Sequence, residues 1–250
     1  MLHVFSGPEA LTGEEVRIEG PDVNHIRNVL RMKPGDPLSV RVRGDRKEYL
    51  CRITEISQQE VLCAVESARD ADSELPSPVF LFQGLPKGDK MEWIIQKSVE
   101  LGVTEIIPVR MERSIAKLDK GSAKTDRKTA RWQAIAENAA QQSRRSIVPT
   151  VHAPMDWDEA LAYGRQMAQV RYIPYENQQG SAGLREQILQ LRPGEGIAVY
   201  IGPEGGISPD ELRRAQEEGV QPVTLGRRIL RTETAPLVFL SWLVLAFEIE

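Results

Sequence analysis

The feature that most constrains this chain is an alternation of apolar strand-like runs and helix-periodic segments that begins at Val79. The run VFLFQGL is almost continuously apolar, and in the segment DKMEWIIQKSVEL that follows, Ile94, Ile95 and Ser98 recur at helical spacing. Gly102 marks a helix stop, and EIIPV returns as a strand. These three segments predict a βαβ unit with parallel strands.

The same alternation continues to the end of the chain. Helices are predicted in DRKTARWQAIAENAAQQS, DWDEALAYGRQMA, LREQILQL, SPDELRRAQEEG and PLVFLSWLVLAF, and strands in VRYIPYE, IAVYIG and PVTLG. The pattern predicts an α/β fold with a mostly parallel sheet covered on both faces. The last helix is apolar nearly all round, which predicts burial on every side, shared between the core and a dimer interface.

The first part of the chain has a different period. Short alternating runs such as SVRVR and YLCRI, separated by turn signals, predict a small barrel or curled sheet. One helical interruption, VNHIRNVLRM, places Ile26, Val29 and Leu30 on one face. The polar segment Ser67 to Pro78 is typical of a linker, so we expect two domains, at residues 1–70 and 76–250.

The net charge of −4 hides two basic segments. Residues 25–52 carry eight basic and three acidic side chains, a net of +5, and residues 110–145 carry ten and four, a net of +6. Such segments on an acidic chain are able to form a phosphate-binding surface, as expected of an RNA-binding protein. Charge alone is equally compatible with solvated basic faces.

Other classes of protein and site are disfavoured by the sequence. No secretory signal is visible, and the only long apolar stretch, residues 236–247, is too short to span a bilayer, so a soluble cytoplasmic protein without membrane contact is expected. Cys51 and Cys63 lack metal-ligand or disulfide spacing and are interpreted as buried free thiols. The three histidines are scattered, and no metal site is expected.

A glycine-rich turn follows the predicted strand IAVYIG. Gly202 to Gly206 lead into a helix start with Ser208 as N-cap, Pro209 in the first turn and Glu211 completing a capping box. Neither the dinucleotide fingerprint nor a P-loop occurs in the chain, and Glu204 would repel a phosphate. The turn therefore favours a nucleoside ligand at the end of a strand, with a purely structural turn as the alternative.

One strand later the segment LGRRILRTETA carries unusual charge between two apolar runs. Thr232, Glu233 and Thr234 are candidate capping groups for the last helix, and Pro236 falls near its first turn. A helix N-terminus flanked by three arginines is a favourable place for anionic RNA or for charge that develops on a substrate. The alternative is a surface loop whose arginines are solvated.

Together, GPEGGISPDEL and LGRRILRTETA resemble the cofactor loops of the SPOUT methyltransferases, and more closely those of the RsmE family of 16S ribosomal RNA uridine-N3 methyltransferases. HIRNVLRMKPGD, KGDKMEWIIQKSVELGV, RMERS and AENAAQQSRRSIVP also resemble that family, so the likeness covers nearly the whole chain. It implies a PUA-like β-barrel for RNA binding, a C-terminal trefoil-knot domain that binds S-adenosylmethionine, and a homodimer. The substrate implied is 16S ribosomal RNA or the small ribosomal subunit.

The resemblance also assigns residues to the cofactor and to RNA. The cofactor-binding residues implied are Tyr175, Glu176, Gly202, Pro203, Glu204, Gly205, Gly206, Leu225, Gly226, Ile229, Leu230, Arg231, Thr232 and Thr234. The RNA-binding residues expected are Arg27, Arg31, Arg113, Arg144, Arg145 and Arg228.

Two arginines are the candidate catalytic residues. Arg231 and Arg145 are expected to stabilise the uridine anion or its flanking phosphates, with Arg227 or Arg228 as the alternative. Glu233 is a candidate proton acceptor, although capping the last helix or pairing with an arginine is favoured. Two further functions stay open: methylation of another RNA position by the same fold, and RNA binding or ribosome assembly without catalysis.

Overall fold

The computed structural model describes residues 1–42, 45, 47–70, 73–176 and 184–249. The chain forms two compact units, of which the first contains Met1–Glu74 and Ala140–Val148 and the second contains Leu75–Ala139 and Pro149–Glu250. The end of one long helix and the turn after it therefore belong to the N-terminal unit. Residues 73–78, predicted as part of a linker, are largely tied down, because Leu75 and Ser77 are buried.

The first unit is built on a six-stranded sheet. Strand β1 pairs parallel with β4, and the other neighbours are antiparallel, which gives the order β1-β4-β5-β6-β3-β2. Alternate residues such as Val16 and Ile18 point into its core, as the period of two requires. Cys51 and Cys63 are buried free thiols, as predicted. The strands are β1 (Leu2–Ser6), β2 (Leu11–Thr12), β3 (Glu15–Glu19), β4 (Pro37–Val42), β5 (Lys47–Ile56) and β6 (Glu60–Asp70).

A short helix, α1 (Pro21–Asn24), continues into a π-helical turn at His25–Val29. Ile26 is buried, but Val29 and Leu30 are 61% and 46% exposed, so the predicted shared face is wrong. The wider i→i+5 turn, closed by the bond from Leu30 N–H to the His25 carbonyl, rotates the chain less per residue and moves Val29 off that face. Leu30 already caps the helix.

The second unit contains an all-parallel seven-stranded sheet. Its order is β10-β8-β7-β12-β11-β13, with β9 also paired to β8. The predicted α/β fold with a mostly parallel sheet is thereby confirmed, while the two-residue strands β9 and β10 were not predicted. The strands are β7 (Val79–Gly84), β8 (Glu105–Arg110), β9 (Thr150–Val151), β10 (Met155–Asp156), β11 (Val170–Pro174), β12 (Ile197–Ile201) and β13 (Gln221–Val223).

Helices cover this sheet and supply most of its packing. An aromatic cluster lies against the central strands, where the rings of Phe82 and Tyr200 stack at 4.4 Å and Trp157 meets Tyr200 edge-on at 5.8 Å. The helices are α2 (Lys90–Glu100), α3 (Ala123–Gln142), α4 (Trp157–Met167), α5 (Leu184–Leu189), α6 (Pro209–Glu217) and α7 (Ala235–Glu248).

The last helix is buried on one side only. Phe239, Leu240 and Leu243 are fully buried, because α7 packs against α2, α5 and β12. Leu245 is 53% and Ile249 60% exposed in the single chain. The core side of the helix is therefore buried as predicted, and burial of the other side in a dimer interface stays a prediction. No helix within the described ranges is long and apolar enough to cross a membrane.

Candidate functional site

Three loops meet at the carboxyl edge of the parallel sheet in the second unit. Strands β11, β12 and β13 are neighbours of one another or of β7 and end at this edge, where α/β sheets bind their ligands. The loops are Tyr175–Glu176 after β11, the glycine loop Gly202–Gly206 after β12, and the arginine loop Thr224–Thr234 after β13. The sequence prediction that the last two loops are neighbours is confirmed by a direct hydrogen bond from Thr232 to Gly202.

A buried side-chain network joins the glycine loop to the arginine loop. The Thr232 hydroxyl donates to the Gly202 carbonyl at 2.7 Å, and Gln83 at the end of β7 donates from Nε2 to Thr232 Oγ1 at 2.9 Å. Gln83 Nε2 also donates to the Gly84 carbonyl at 3.0 Å, and Gln83 is fully buried. The Thr232 hydroxyl thus connects the glycine loop, the arginine loop and the end of β7. We call these hydrogen bonds the Thr232 clasp. Buried hydrogen bonds of this kind are costly to break, because they leave unpaired polar groups.

An ion cluster joins the same two loops at the surface. The ammonium of Lys90, the first residue of α2, lies 3.0 Å from Glu204 Oε1 and 3.2 Å from Glu233 Oε2. Glu204 also accepts the backbone N–H of Lys87 at 3.1 Å. Burial alone would raise the pKa of the Glu204 carboxyl, but backbone N–H donors and Lys90 lower it overall. Glu204 is therefore held as a carboxylate.

The three loops enclose a cavity of about 460 Å³. This volume is within the range of small-molecule and cofactor sites, roughly 300–1,000 Å³. Gly206, at φ 73°, turns the glycine loop back at the point where Glu176 approaches it. The lining residues are Lys90, Pro174, Tyr175, Glu176, Ile201, Gly202, Pro203, Glu204, Gly206, Ile207, Thr224, Leu225, Gly226, Arg227, Arg228, Ile229, Leu230, Arg231, Thr232 and Ala235.

Most residues assigned to the cofactor from the sequence line this cavity, and two do not. Gly205 packs against Arg113, which donates from Nη1 to the Gly205 carbonyl at 3.3 Å. Thr234 occupies the N-cap position of α7 without a capping hydrogen bond from its side chain. The capping box predicted at Ser208 and Glu211 is present.

The sequence reasoning missed Lys90 and Gln83. Lys90 lines the cavity and Gln83 donates to Thr232, which also lines it. Both precede the glycine loop by more than 100 residues. The available signal was their position, since Gln83 is the penultimate residue of the first strand of the sheet and Lys90 begins the helix after it. The turn between a strand and a helix in a parallel sheet is where ligand-binding groups are expected.

The positions of Arg231 and its neighbours explain why the segment LGRRILRTETA carries so much charge between two apolar runs. The side chain of Arg231 is 82% exposed and lines the cavity, with Nη1 4.0 Å from Glu233 Oε1. Arg227 and Arg228 are also exposed and line it. Thr232 alone carries a buried polar side chain from this segment into the interior. The charge therefore surrounds a cavity.

Arg145 is placed differently. It is 3% exposed, and its Nη2 donates to Glu74 Oε2 at 2.5 Å within the first unit. The other carboxylate oxygen of Glu74 accepts the backbone N–H groups of Ser146 at 2.8 Å and Ile147 at 3.0 Å. The guanidinium is therefore used to fix the chain after α3, a role that neither basic composition nor motif spacing indicated.

The remaining RNA-binding candidates are exposed arginines. Arg27, Arg31 and Arg144 lie in the first unit, while Arg113 and Arg228 lie in the second. Arg43 and Arg46 of the first basic segment fall outside the described residues.

Arg31 and Arg144 share an unusual backbone conformation. Their φ angles are 55° and 59°, and they are the only non-glycine residues with positive φ in the described part of the chain. Arg144 follows α3, where Arg144 N–H donates to the Gln141 carbonyl and Arg145 N–H to the Ala140 carbonyl. This is a Schellman motif with arginine at the position that glycine usually takes. An arginine is held there against its own backbone preference.

Two arginines and a histidine surround the buried carboxylate of Glu48 in the same unit. Arg69 Nη2 lies 2.6 Å and His3 Nδ1 3.1 Å from that carboxylate, and Arg41 Nη2 lies 3.8 Å away. Burial would raise the pKa of Glu48, but hydrogen bonds from Ser39 and Arg69 lower it to about 2. The side chain of Arg69 remains 64% exposed, so positive charge reaches the surface here.

No group of three or more His, Cys, Asp or Glu side chains in the described part of the chain is arranged to hold a metal ion.

Comparison with known proteins gives a consistent picture. Family models described as an RNA methyltransferase domain and an RNA methyltransferase PUA domain match residues 73–244 and 18–66. The chain is 40% identical to the ribosomal RNA small subunit methyltransferase E of Bacillus subtilis, over 90% of this chain and 87% of that protein. It is 32% identical to the Synechocystis protein of the same name, over 94% and 74%.

A solved structure is also similar over the whole length. It is the ribosomal RNA small subunit methyltransferase E of Neisseria gonorrhoeae bound to S-adenosylmethionine, with a TM-score of 0.82 and 35% identity, covering 99% of this chain and 98% of that one.

Proposed function

Because the chain belongs to the ribosomal RNA small subunit methyltransferase E family, we propose that it transfers a methyl group from S-adenosylmethionine to N3 of a uridine in 16S ribosomal RNA. The observation that carries this proposal is the cavity between the glycine loop and the arginine loop, joined by the Thr232 clasp. A cavity that combines backbone-rich glycine walls with an arginine rim suits a nucleoside cofactor beside an anionic substrate.

The residues present fit the cofactor. Glu176 and Glu204 bring carboxylates to a cavity of about 460 Å³, which favours a ligand with hydroxyl donors and positive charge over a free phosphate. We assign the cofactor to the lining residues predicted from the sequence, with Gly205 and Thr234 in supporting positions. When bound, S-adenosylmethionine supplies an electrophilic methyl group.

The protein's own contribution is mainly orientation and charge. Holding donor and acceptor in line is able to supply roughly 7–11 kcal/mol of the barrier at best. Uridine reacts after N3 has lost its proton, and the negative charge then spreads onto the two ring carbonyls. We assign Arg231 to that anion, because its guanidinium lines the cavity and is mostly exposed. Arg227 and Arg228 stand on the same loop as alternatives.

We assign Glu233 and Arg145 positioning roles. Glu233 lies 3.2 Å from the Lys90 ammonium, so we assign it to the ion cluster that joins the arginine loop to the glycine loop. Arg145 holds the turn after α3 through Glu74. We assign the RNA contact to its exposed neighbour Arg144 instead.

One experiment separates this function from its competitors. Calorimetry with S-adenosylmethionine tests the cofactor, and tritium transfer from the labelled cofactor into naked 16S RNA and into small ribosomal subunits tests the reaction. Methylation mapped to a uridine N3 supports the proposal. Methylation at another nucleotide supports a different RNA target, and RNA binding without transfer supports a non-catalytic role in ribosome assembly.

We further propose that Arg144 contacts an RNA phosphate. Replacement of Arg144 by glycine removes a charge and relieves a left-handed backbone, so RNA affinity should fall about 5-fold while the free energy of unfolding rises by about 1 kcal/mol. Fluorescence anisotropy over a salt series and urea denaturation measure the two effects, and the salt slope should decrease by about one.

Two controls accompany this variant. Arg144→Asn tolerates the left-handed conformation and should lose RNA affinity to the same extent. Arg213→Ala removes an exposed arginine from α6 that is already paired with Asp210 and Glu217, and should leave RNA affinity unchanged. Unchanged affinity of Arg144→Gly would exclude the phosphate contact.

The assembly and location are proposed on the same basis. We propose two domains, at residues 1–70 and 76–250, a trefoil knot in the second, and a cytoplasmic homodimer. Partly exposed apolar side chains lie on or directly after α2, α5 and α7, and α7 contacts both of the other helices. These side chains, Trp93, Leu189, Leu245 and Ile249, support a covered surface there. Sedimentation at micromolar concentration should give about twice the chain mass of 28 kDa. A monomer at that concentration would refute the dimer.

A further inference from the structure

Lys90 is the cation that lies between the two loops of the cavity. Glu204 belongs to the glycine loop and Glu233 to the arginine loop, and each has a carboxylate oxygen about 3 Å from the same ammonium nitrogen. Those two oxygens are therefore no more than about 6 Å apart. The carboxylates are only 25% and 19% exposed, so water screens their repulsion incompletely.

We propose that Lys90 is a positioning residue whose charge sets the spacing between the glycine loop and the arginine loop. The inference rests on the proposed function only in naming the ligand of the cavity. Without Lys90 the two carboxylates would repel each other across the cavity wall, and the loops they belong to would separate or one carboxylate would take up a proton.

Other charges near this cluster do not replace Lys90. Arg231 lies 4.0 Å from Glu233, but its side chain is 82% exposed and its charge is screened by solvent. Lys87 contacts Glu204 through its backbone N–H, and Arg113 donates to the Gly205 carbonyl. Glu176 brings a further carboxylate to the glycine loop at Gly206, and it cannot replace the cation either.

The contact differs from an ordinary surface ion pair. An exposed pair contributes little because each partner is solvated when the other is removed. Here one cation serves two carboxylates from different loops, and Glu204 is held in place by a backbone N–H from a third segment. The Thr232 clasp below them joins the same loops through neutral groups, so the two links are chemically independent.

The test uses Lys90→Met, which keeps the length of the side chain and removes its charge. Affinity for S-adenosylhomocysteine, the product that carries no sulfonium, should fall about 10-fold near pH 8. Near pH 5.5 the loss should shrink to about 3-fold or less, because protonation of one carboxylate removes the repulsion. Calorimetry at both pH values measures this, and the unsubstituted protein should show no comparable pH dependence.

Three variants separate charge from packing. Lys90→Arg keeps the charge and should bind nearly as well as the unsubstituted protein. The double variant Lys90→Met with Glu204→Gln removes the repulsion and should lose the pH dependence. Lys97→Met removes the cation of another lysine–glutamate pair on the same helix, at 2.8 Å from Glu100, and should change nothing.

A measurement without ligand keeps this inference separate from the proposed function. Hydrogen–deuterium exchange should accelerate in both loops of Lys90→Met, as reported by Gly206 N–H, which donates to Pro203, and Thr234 N–H, which donates to Arg231. Unchanged exchange, or an affinity loss that is equal at both pH values and shared by Lys90→Arg, would overturn the positioning role. Failure of the unsubstituted protein to bind either cofactor form, with accelerated exchange in the variant, would refute only the proposed function.

Discussion

Replacing Gly164 with alanine is expected to lower the free energy of unfolding by about 3 kcal/mol, at the upper end of the cost of overpacking a core. A Cβ at this position of α4 would lie 1.9 Å from the Tyr200 hydroxyl oxygen and 3.0 Å from its Cζ. Tyr200 is 1% exposed and its ring stacks on Phe82 at 4.4 Å, so it has no room to retreat. Urea denaturation followed by tryptophan fluorescence measures the loss, with Trp157 beside Tyr200 as a local probe.

The double variant Gly164→Ala with Tyr200→Phe identifies the cause. Removing the hydroxyl removes the closest contact, so more than half of the lost stability should return. Tyr200→Phe alone should cost little, because its hydroxyl makes only a long contact of 3.5 Å with the Ala160 carbonyl. If the double variant is as unstable as Gly164→Ala, a clash with this hydroxyl is not the cause.

Replacing Arg231 with alanine should reduce kcat about 100-fold, the usual size of the effect when one donor to a developing anion is removed. Affinity for S-adenosylmethionine should change less than about 3-fold, because the backbone of the loop stays held by Thr232. Single-turnover methylation of small subunits gives the rate, and calorimetry gives the affinity. A large fall in the rate with little change in affinity would show that Arg231 stabilises charge in the reaction and does not hold the cofactor.

The same loop provides matched controls. Arg227→Ala and Arg228→Ala remove exposed arginines that also line the cavity, and each should retain most of kcat. If Arg228→Ala falls 100-fold and Arg231→Ala does not, the anion is assigned to Arg228 instead. Near wild-type turnover of Arg231→Ala, Arg227→Ala and Arg228→Ala would contradict the assignment of an arginine of this loop to the reaction.

The sequence predicted what depends on near neighbours. Apart from the two-residue strands β9 and β10, the strand-helix order from Val79 onward follows from periodicity and is present. The helix stop at Gly102 and the capping box at Ser208 follow from local hydrogen bonding and are present too. The neighbourhood of the glycine and arginine loops followed from one further rule, that parallel strands end at the same sheet edge.

Contacts between residues that are far apart in the sequence could not be predicted from periodicity and local hydrogen bonding. Gln83 meets Thr232 across 149 positions, and Arg145 meets Glu74 across 71. A buried arginine and an exposed one look identical in a list of basic residues, so burial of Arg145 needed the three-dimensional contact with Glu74. The prediction for Val29 was wrong for a different reason. A π-helical turn breaks the α-helical period from which the face of Val29 was predicted.

The Thr232 clasp also has a temporal consequence. During synthesis, Gln83 leaves the ribosome well before the residue to which it donates, 149 positions later. Until the C-terminal segment has emerged and reached the first strand of the sheet, Gln83 lacks this partner and the arginine loop is missing from the cavity. We therefore expect that a growing or truncated polypeptide that lacks Thr232 does not bind the methyl donor. Only the completed enzyme would then be able to modify RNA.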